Sequence, residues 1–208
     1  MNAFRSEVTS FHPCTFKLMS IDCIPREVSS VLDVGCGMGL VGNLLRLYRH
    51  AERIVGVDGY EPYLDFAKDT GAYDELLRMD IAHAPLPFQD KEFDLVTCIE
   101  VLEHLEYPRA MALLDELERV ARRVVVSTTR QPQATEVDGN CLNRHRSRIH
   151  PEVFRARGYR VTGAGELAFM TARKTWFPPF FRRHLGSLTT FVPFFSHQYI
   201  AVRVEGSI

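Results

Sequence analysis

Three glycines and two aspartates carry the first chemistry in this sequence. The run VLDVGCGMG places Gly35, Gly37 and Gly39 after an apolar stretch and ahead of LVGNLLRLYRH, with Asp33 just before them. Glycines at such a junction let the backbone turn tightly and approach a ligand with no Cβ in the way. A helix starting there offers free N–H groups to an anion. A second apolar stretch, RIVGVDG, ends in Asp58, placed where an acid can accept both hydroxyls of a ribose. Gly37, Gly39 and Gly42 also spell G-x-G-x-x-G, which alone would suggest a dinucleotide. Asp33 argues for another ligand, because a carboxylate there suits an ammonium group and is a poor neighbour for a pyrophosphate.

A second constellation is ExxEH, formed by Glu100, Glu103 and His104. Spacings of three and four put these residues on one helical face, if the helix begins that early. Two carboxylates and an imidazole can bind a divalent cation. His145, in NRHRSRIHPEVF, is a fourth candidate. The competing reading needs no metal: Glu103 and His104 then cap the helix or satisfy nearby loops, and that reading is favoured. His104 and His145 are also the candidates for a catalytic base. His83 and His150 stand alone and read as surface or capping residues. RHRSR, with Arg130, could hold an anionic group, although so short a basic run is more often a solvated loop.

These residues need a scaffold, and the chain alternates strand and helix patterns. SSVLDVG, RIVGVDG, LLRMDI, FDLVTCIE and RVVVSTT read as five buried strands. Between them, LVGNLLRLYRH, EPYLDFAKDTG and residues 107–122 read as helices. HPEVFRARGY is a short helix, and YRVTGAG and HQYIAVRV are the last two strands. Continuous apolar strands alternating with helices imply a parallel sheet covered on both faces. The final pair lacks a regular helix between its strands, so an antiparallel strand is expected near that edge. Residues 1–30 read as an N-terminal cap. Residues 166–196 read as an aromatic-rich insertion, with Phe and Trp interrupted by proline and interleaved with arginine.

Composition narrows the function classes. The 208 residues are 46% hydrophobic and 25% charged, ordinary for one globular domain. A formal net charge of −1 gives no global field to concentrate polyanions, so a nucleic-acid partner is not expected. No apolar run is long enough for a membrane span, and the N-terminus has no apolar signal core. The five cysteines form neither a disulfide framework nor a paired zinc pattern, so a cytoplasmic location is expected.

Taken together, VLDVGCGMG, IVGVDGYEPYLDFA and RMDIAHAPLPFQDKEFDLVTCIEVLEHL resemble the linked motifs of class I S-adenosylmethionine-dependent methyltransferases, of the small-molecule, type 11-like kind. The resemblance covers roughly residues 30–165 and continues to the last strand. It implies a single methyltransferase domain over residues 1–208, with a Rossmann-like, mostly parallel seven-stranded sheet, helices on both faces and the last strand antiparallel. It implies S-adenosylmethionine as cofactor. Gly35, Cys36, Gly37 and Gly39 would approach its methionine part, and Asp33 its amino group. Asp58 and Gly59 would hold the ribose, Tyr60 would lie beside the adenine, Asp80 and Ile81 would contact the adenine, and Glu100 and Val101 would line the transfer side.

The quartet Glu100, Glu103, His104 and His145 is similar to a metal site in small-RNA 2′-O-methyltransferases and, in part, in ubiquinone-pathway O-methyltransferases. The expected activity is methyl transfer to an oxygen, nitrogen or carbon of a small, apolar acceptor. One alternative is metal-assisted O-methylation of an RNA 3′ end or a diol. The other is a cofactor-binding partner protein without activity. A nicotinamide-dependent oxidoreductase is a more distant option that Asp33 disfavours. No Asn/Asp-Pro-Pro-aromatic motif and no Pro-Cys nucleophile occur, and Cys98 reads as a buried strand residue. The segment 169–195 is a candidate substrate lid, membrane-surface contact or dimer contact.

Overall fold

Strand β1 (Ser30–Val34) sits centrally because nothing in it needs water: Val31, Leu32 and Val34 are fully buried. Parallel strands covered on both faces read as such uninterrupted apolar runs. The computed structural model describes residues 20–24, 27–49, 51–83, 85–129, 140–167 and 196–205. In chain order they form β1, α1 (Leu40–Arg49), β2 (Arg53–Asp58), α2 (Glu61–Asp69), β3 (Glu75–Arg78), β4 (Phe93–Ile99) and a 3-10 turn (Leu102–His104). Then come α3 (Tyr107–Val120), β5 (Ala121–Thr129), a second 3-10 turn (Cys141–Asn143), α4 (Pro151–Ala156), β6 (Arg160–Leu167) and β7 (Ser196–Val204).

The seven strands form one sheet in the order β3-β2-β1-β4-β5-β7-β6. β1 pairs in parallel with β2 and β4, which sets Asp33 beside Gly56 on one side and Thr97 on the other. β7 runs antiparallel to both β5 and β6. The last strand is therefore antiparallel, as expected, but it is inserted one place in from the edge, which β6 occupies.

The sheet separates two apolar layers. Leu32, Val34, Val96, Val124 and Val126 face the layer that contains α3 and α4. Val31, Leu95, Ile99 and Val125 face the layer that contains α1, and Ile21, Ile24 and Val28 pack into it. Arg49 ties this N-terminal stretch down by donating to the Ile24 and Ile21 carbonyls at 2.9 and 2.6 Å. In α3, Ala110, Leu113, Leu114, Leu117 and Val120 are buried along one face. Among the described residues no helix is long and apolar enough to cross a membrane.

Three element boundaries differ from the sequence expectation. The third strand ends at Arg78 instead of running to Ile81, because Asp80 closes a turn by accepting from the Ala82 N–H at 3.0 Å. Helix α3 stops at Val120 instead of Arg122, because Ala121 already pairs with Phe93 of β4. The ExxEH run is not α-helical: it is a 3-10 turn, and α3 starts only at Tyr107. The aromatic residues 169–195, Arg130 and residues 1–19 of the N-terminal stretch lie outside the described residues.

Candidate functional site

Gly35, Gly37 and Gly39 have φ of 72, 53 and 88°, the left-handed region that glycine enters without a steric cost. The Gly35 and Cys36 N–H groups donate to the Val57 carbonyl at 2.8 and 3.1 Å, so the loop folds back over the end of β2. A Cβ on Gly35 would stand 2.3 Å from Val101 Cγ2, so the loop passes directly against a residue just past the end of β4. A Cβ on Gly37 would meet nothing within 4 Å. That glycine is required by its backbone, and it borders open space.

Asp58 closes this space. Its carboxylate accepts from the Gly37 N–H at 2.9 Å and from the Tyr60 N–H at 2.8 Å. Burial pushes its carboxyl above the ordinary aspartate range, against the opposing pull of the Tyr60, Gly37 and Gly59 N–H groups. Tyr60 stacks edge-on against Tyr63 at 4.9 Å. Cys36 is buried beside these acids: desolvation first, then Asp33 and Asp58, hold its thiol well above the usual range, so it is no nucleophile.

Asp33 is buried to 1% exposure and already engaged. It accepts from the Tyr73 hydroxyl at 2.7 Å and from the Thr97 hydroxyl at 2.8 Å. The Tyr73 oxygen in turn accepts from the Gly42 N–H at 3.1 Å. Its ring lies over two glycines: a Cβ would come within 2.4 Å of it at Gly42 and 2.8 Å at Gly56. The last glycine of G-x-G-x-x-G therefore makes room for Tyr73. Asp33 becomes the end of a buried network that joins β1, β4, α1 and the start of β3. Thr97 has a sequence signal, as the one polar residue inside LVTCI of β4. Tyr73 has none, since only the fold brings it over Gly42 and Gly56.

Asp80 is exposed, accepts from the Ala82 N–H and lies 2.8 Å from His83 Nδ1, so it reads as a turn residue. Ile81 packs half-buried against the core.

The ExxEH constellation divides. Glu100 has φ of 60° and turns toward β5 and β7, where it accepts from the Ser127 hydroxyl at 3.0 Å and the Gln198 amide at 2.5 Å. Glu103 turns inward, 1% exposed, and accepts from the Thr128 hydroxyl at 2.8 Å. Glu103, His104 and His145 bring one ligand atom each within 4.8 Å of one another. Glu100 is not in that group. The two imidazole rings meet edge-on at 4.8 Å. Burial and then the Glu100 charge push the Glu103 carboxyl well above the ordinary glutamate range. Burial and then His145 push His104 down to about 4. His104 is thus neutral near pH 7, and its Nδ1 is buried without a hydrogen-bond partner. Such orphaned atoms are uncommon in folded proteins and call for a ligand or a water. A neutral imidazole, a second imidazole and a carboxylate fit the donor set of a divalent cation.

Residues 140–150 join the two halves of the site. The Asn140 side chain accepts from the Leu142 N–H at 2.9 Å, and Leu142 lies over Gly59. Asn143 donates to the Tyr63 hydroxyl at 3.2 Å. The Arg146 and Ser147 N–H groups donate to the Glu103 carbonyl at 2.7 and 3.1 Å. This strap runs from the Asp58 side of the site to the histidine pair. Asn143 and Ser147 were not expected in this role, because their partners are more than 40 residues away in sequence.

Residues 32–124 match a family model described as a methyltransferase domain. The mitochondrial ubiquinone biosynthesis O-methyltransferase of Saccharomyces cerevisiae is 33% identical over 85 residues, 40% of this chain and 27% of that protein. Its counterpart in Schizosaccharomyces pombe is 32% identical over 127 residues, 58% of this chain and 45% of that protein. The matched stretches thus span less than half the length of these curated relatives. The structure of an S-adenosylmethionine-dependent methyltransferase from Archaeoglobus fulgidus superposes with a TM-score of 0.60 at 20% identity, covering 91% of this chain and 93% of that one. At that identity the likeness shows the fold. The left-handed glycine loop, Asp58 at its mouth and open space at Gly37 are compatible with S-adenosylmethionine, which the description of the Archaeoglobus fulgidus protein names. Over residues 32–124 the chain is thus similar to methyltransferase domains, and it shares the fold of an S-adenosylmethionine-dependent methyltransferase.

Proposed function

We propose that the protein transfers a methyl group from S-adenosylmethionine to an oxygen of a small acceptor. The observation that carries this reading is the Asp58 carboxylate held between the Gly37 and Tyr60 N–H groups, beside the open flank of Gly37. When bound, the cofactor supplies an electrophilic methyl on a sulfonium, a good leaving group. The protein's part is then largely positioning and exclusion of water. Asp58 holds the ribose end, the Gly35–Gly39 loop takes the methionine end, and Val101 and the strap face the transfer side. The choice of oxygen draws on the curated relatives, which are O-methyltransferases.

A second reading has its own observation. His104, at about 4, is too weak a base to deprotonate a hydroxyl directly, yet its buried Nδ1 has no partner and lies with Glu103 and His145. Glu103, His104 and His145 would hold a divalent cation, which would supply Lewis acidity toward an acceptor hydroxyl. Calorimetry tests both readings. S-adenosylmethionine should bind the wild type and bind Asp58→Ala roughly a hundredfold more weakly. Radiolabelled methyl transfer to a pool of phenols and diols should appear, and manganese or zinc should raise it in the wild type and not in His104→Ala. Cofactor binding with no transfer to any acceptor would favour a cofactor-binding partner protein instead.

A further inference from the structure

The parallel strands end along one edge of the sheet, where the glycine loop, Asp58 and Glu100 lie. β7 runs the other way, so it begins at that edge, with Gln198 paired to Thr129 at the end of β5. Gln198 is 8% exposed, and its Nε2 donates to the Glu100 carboxylate. Glu100 follows β4 and precedes Val101, against which the Gly35 turn is packed. A continuous line thus runs from the glycine loop to Gln198.

The Gln198 amide can stand only one way round, because turned over it would set its oxygen against a carboxylate oxygen. With Nε2 held by Glu100, Oε1 is left as a buried acceptor without a hydrogen-bond partner among the described residues. His104 Nδ1, in the turn after β4, is another such atom at the same edge. Buried acceptors without partners are rare and costly, so an orphan beside a site marks a place for a ligand's donor. The strap turns its arginines away from this place: residues 142–150 alternate in exposure, with Arg144, Arg146 and Arg148 toward solvent and His145 and Ser147 half-buried.

We infer that Gln198 is a specificity-determining residue, whose Oε1 accepts a hydrogen bond from a hydroxyl or N–H that the acceptor carries in addition to the oxygen it has methylated. This rests on the methyl-transfer reading above and adds a second functional group to the acceptor. A site built around such a bond rejects an analogue that lacks the donor, because the buried oxygen is then left unpaired.

Radiolabelled methyl transfer from S-adenosylmethionine tests it, with kcat/KM measured on the dihydroxybenzenes and aminophenols and on phenol. The wild type should prefer at least one of the two-donor acceptors to phenol by about tenfold or more. Gln198→Met keeps the side-chain length and removes the amide, and the preference should fall to within about threefold. Ser127→Ala removes the other hydrogen bond to the Glu100 carboxylate and leaves Gln198 in place, so any loss of rate should be shared by all acceptors and the preference kept. If Gln198→Met does not fold, Gln198→Asn, which withdraws the amide by one methylene, takes its place with the same expected loss of preference. Rates lowered equally on phenol and on the two-donor acceptors in the Gln198 variant would show a merely structural role and overturn the inference. So would loss of cofactor affinity in that variant. A wild type that methylates phenol as well as the others overturns it and leaves the methyl-transfer reading standing, and one that binds cofactor but methylates none of these acceptors overturns it as well. Failure of the wild type to bind cofactor is the separate result that removes the methyl-transfer reading.

Discussion

The Tyr73 hydroxyl donates to Asp33 at 2.7 Å, while its ring occupies the space that Gly42 and Gly56 leave open. Two glycines, an acid and an aromatic residue far from both in sequence act as one unit. Tyr73→Phe keeps the ring and removes both hydroxyl bonds, leaving the Asp33 carboxylate and the Gly42 N–H each short of a partner. We expect a loss of about 1–3 kcal/mol in urea unfolding, and weaker S-adenosylmethionine binding by calorimetry. An unchanged cofactor affinity would show that Asp33 does not depend on Tyr73 for its orientation.

Gly35→Ala should be severe. The position has φ of 72°, and the new methyl would meet Val101 Cγ2 at 2.3 Å. Backbone strain and overpacking together predict about 2–4 kcal/mol of destabilisation in a thermal melt. Adding Val101→Ala should recover the packing part and leave the backbone part.

Asp58→Ala removes the acceptor shared by the Gly37 and Tyr60 N–H groups. Cofactor binding should weaken by roughly a hundredfold, about 2–3 kcal/mol for a charged partner. The melting temperature of the unliganded protein should move little, because burial already holds the Asp58 carboxyl above its ordinary range and removing it relieves that cost.

The pH dependence has a defined sign. His104 titrates near 4 in the folded protein, against 6.5 unfolded. Between those values the unfolded chain binds more protons, so this residue's contribution is intact above pH 6.5 and is lost as pH falls toward 4. The loss amounts to about 3 kcal/mol. His104→Gln should flatten the stability curve in that window, measured by urea unfolding at a series of pH values.

Glu103 acts in the opposite sense. Burial holds its folded carboxyl well above the ordinary glutamate range, so its contribution is present below that range and is lost as pH rises through the folded value. Glu103→Gln should therefore stabilise the metal-free protein at pH 8, by about 1 kcal/mol or more. The same variant should lose any rise in melting temperature that manganese or zinc gives the wild type. A variant that keeps the metal-induced rise would exclude Glu103 as a ligand.

The glycine loop, Asp58 and the order of strands and helices were legible in the sequence because each is a local pattern. A turn needing left-handed backbone shows as glycine, a strand buried on both faces shows as an unbroken apolar run, and a helix shows as an apolar stripe. What the sequence could not show was which side chains share a layer. Parallel pairing put Thr97 beside Asp33. The fold drew Tyr73 across Gly56. A left-handed turn at Glu100 sent it away from Glu103, so the helical face implied by ExxEH never formed. The strap's alternation was hidden as well, because period two in a segment with no strand partner becomes visible only once one side is buried. Local sequence fixes backbone conformation, whereas contacts between residues 25 to 98 positions apart depend on strand order and register, which only the packed sheet decides.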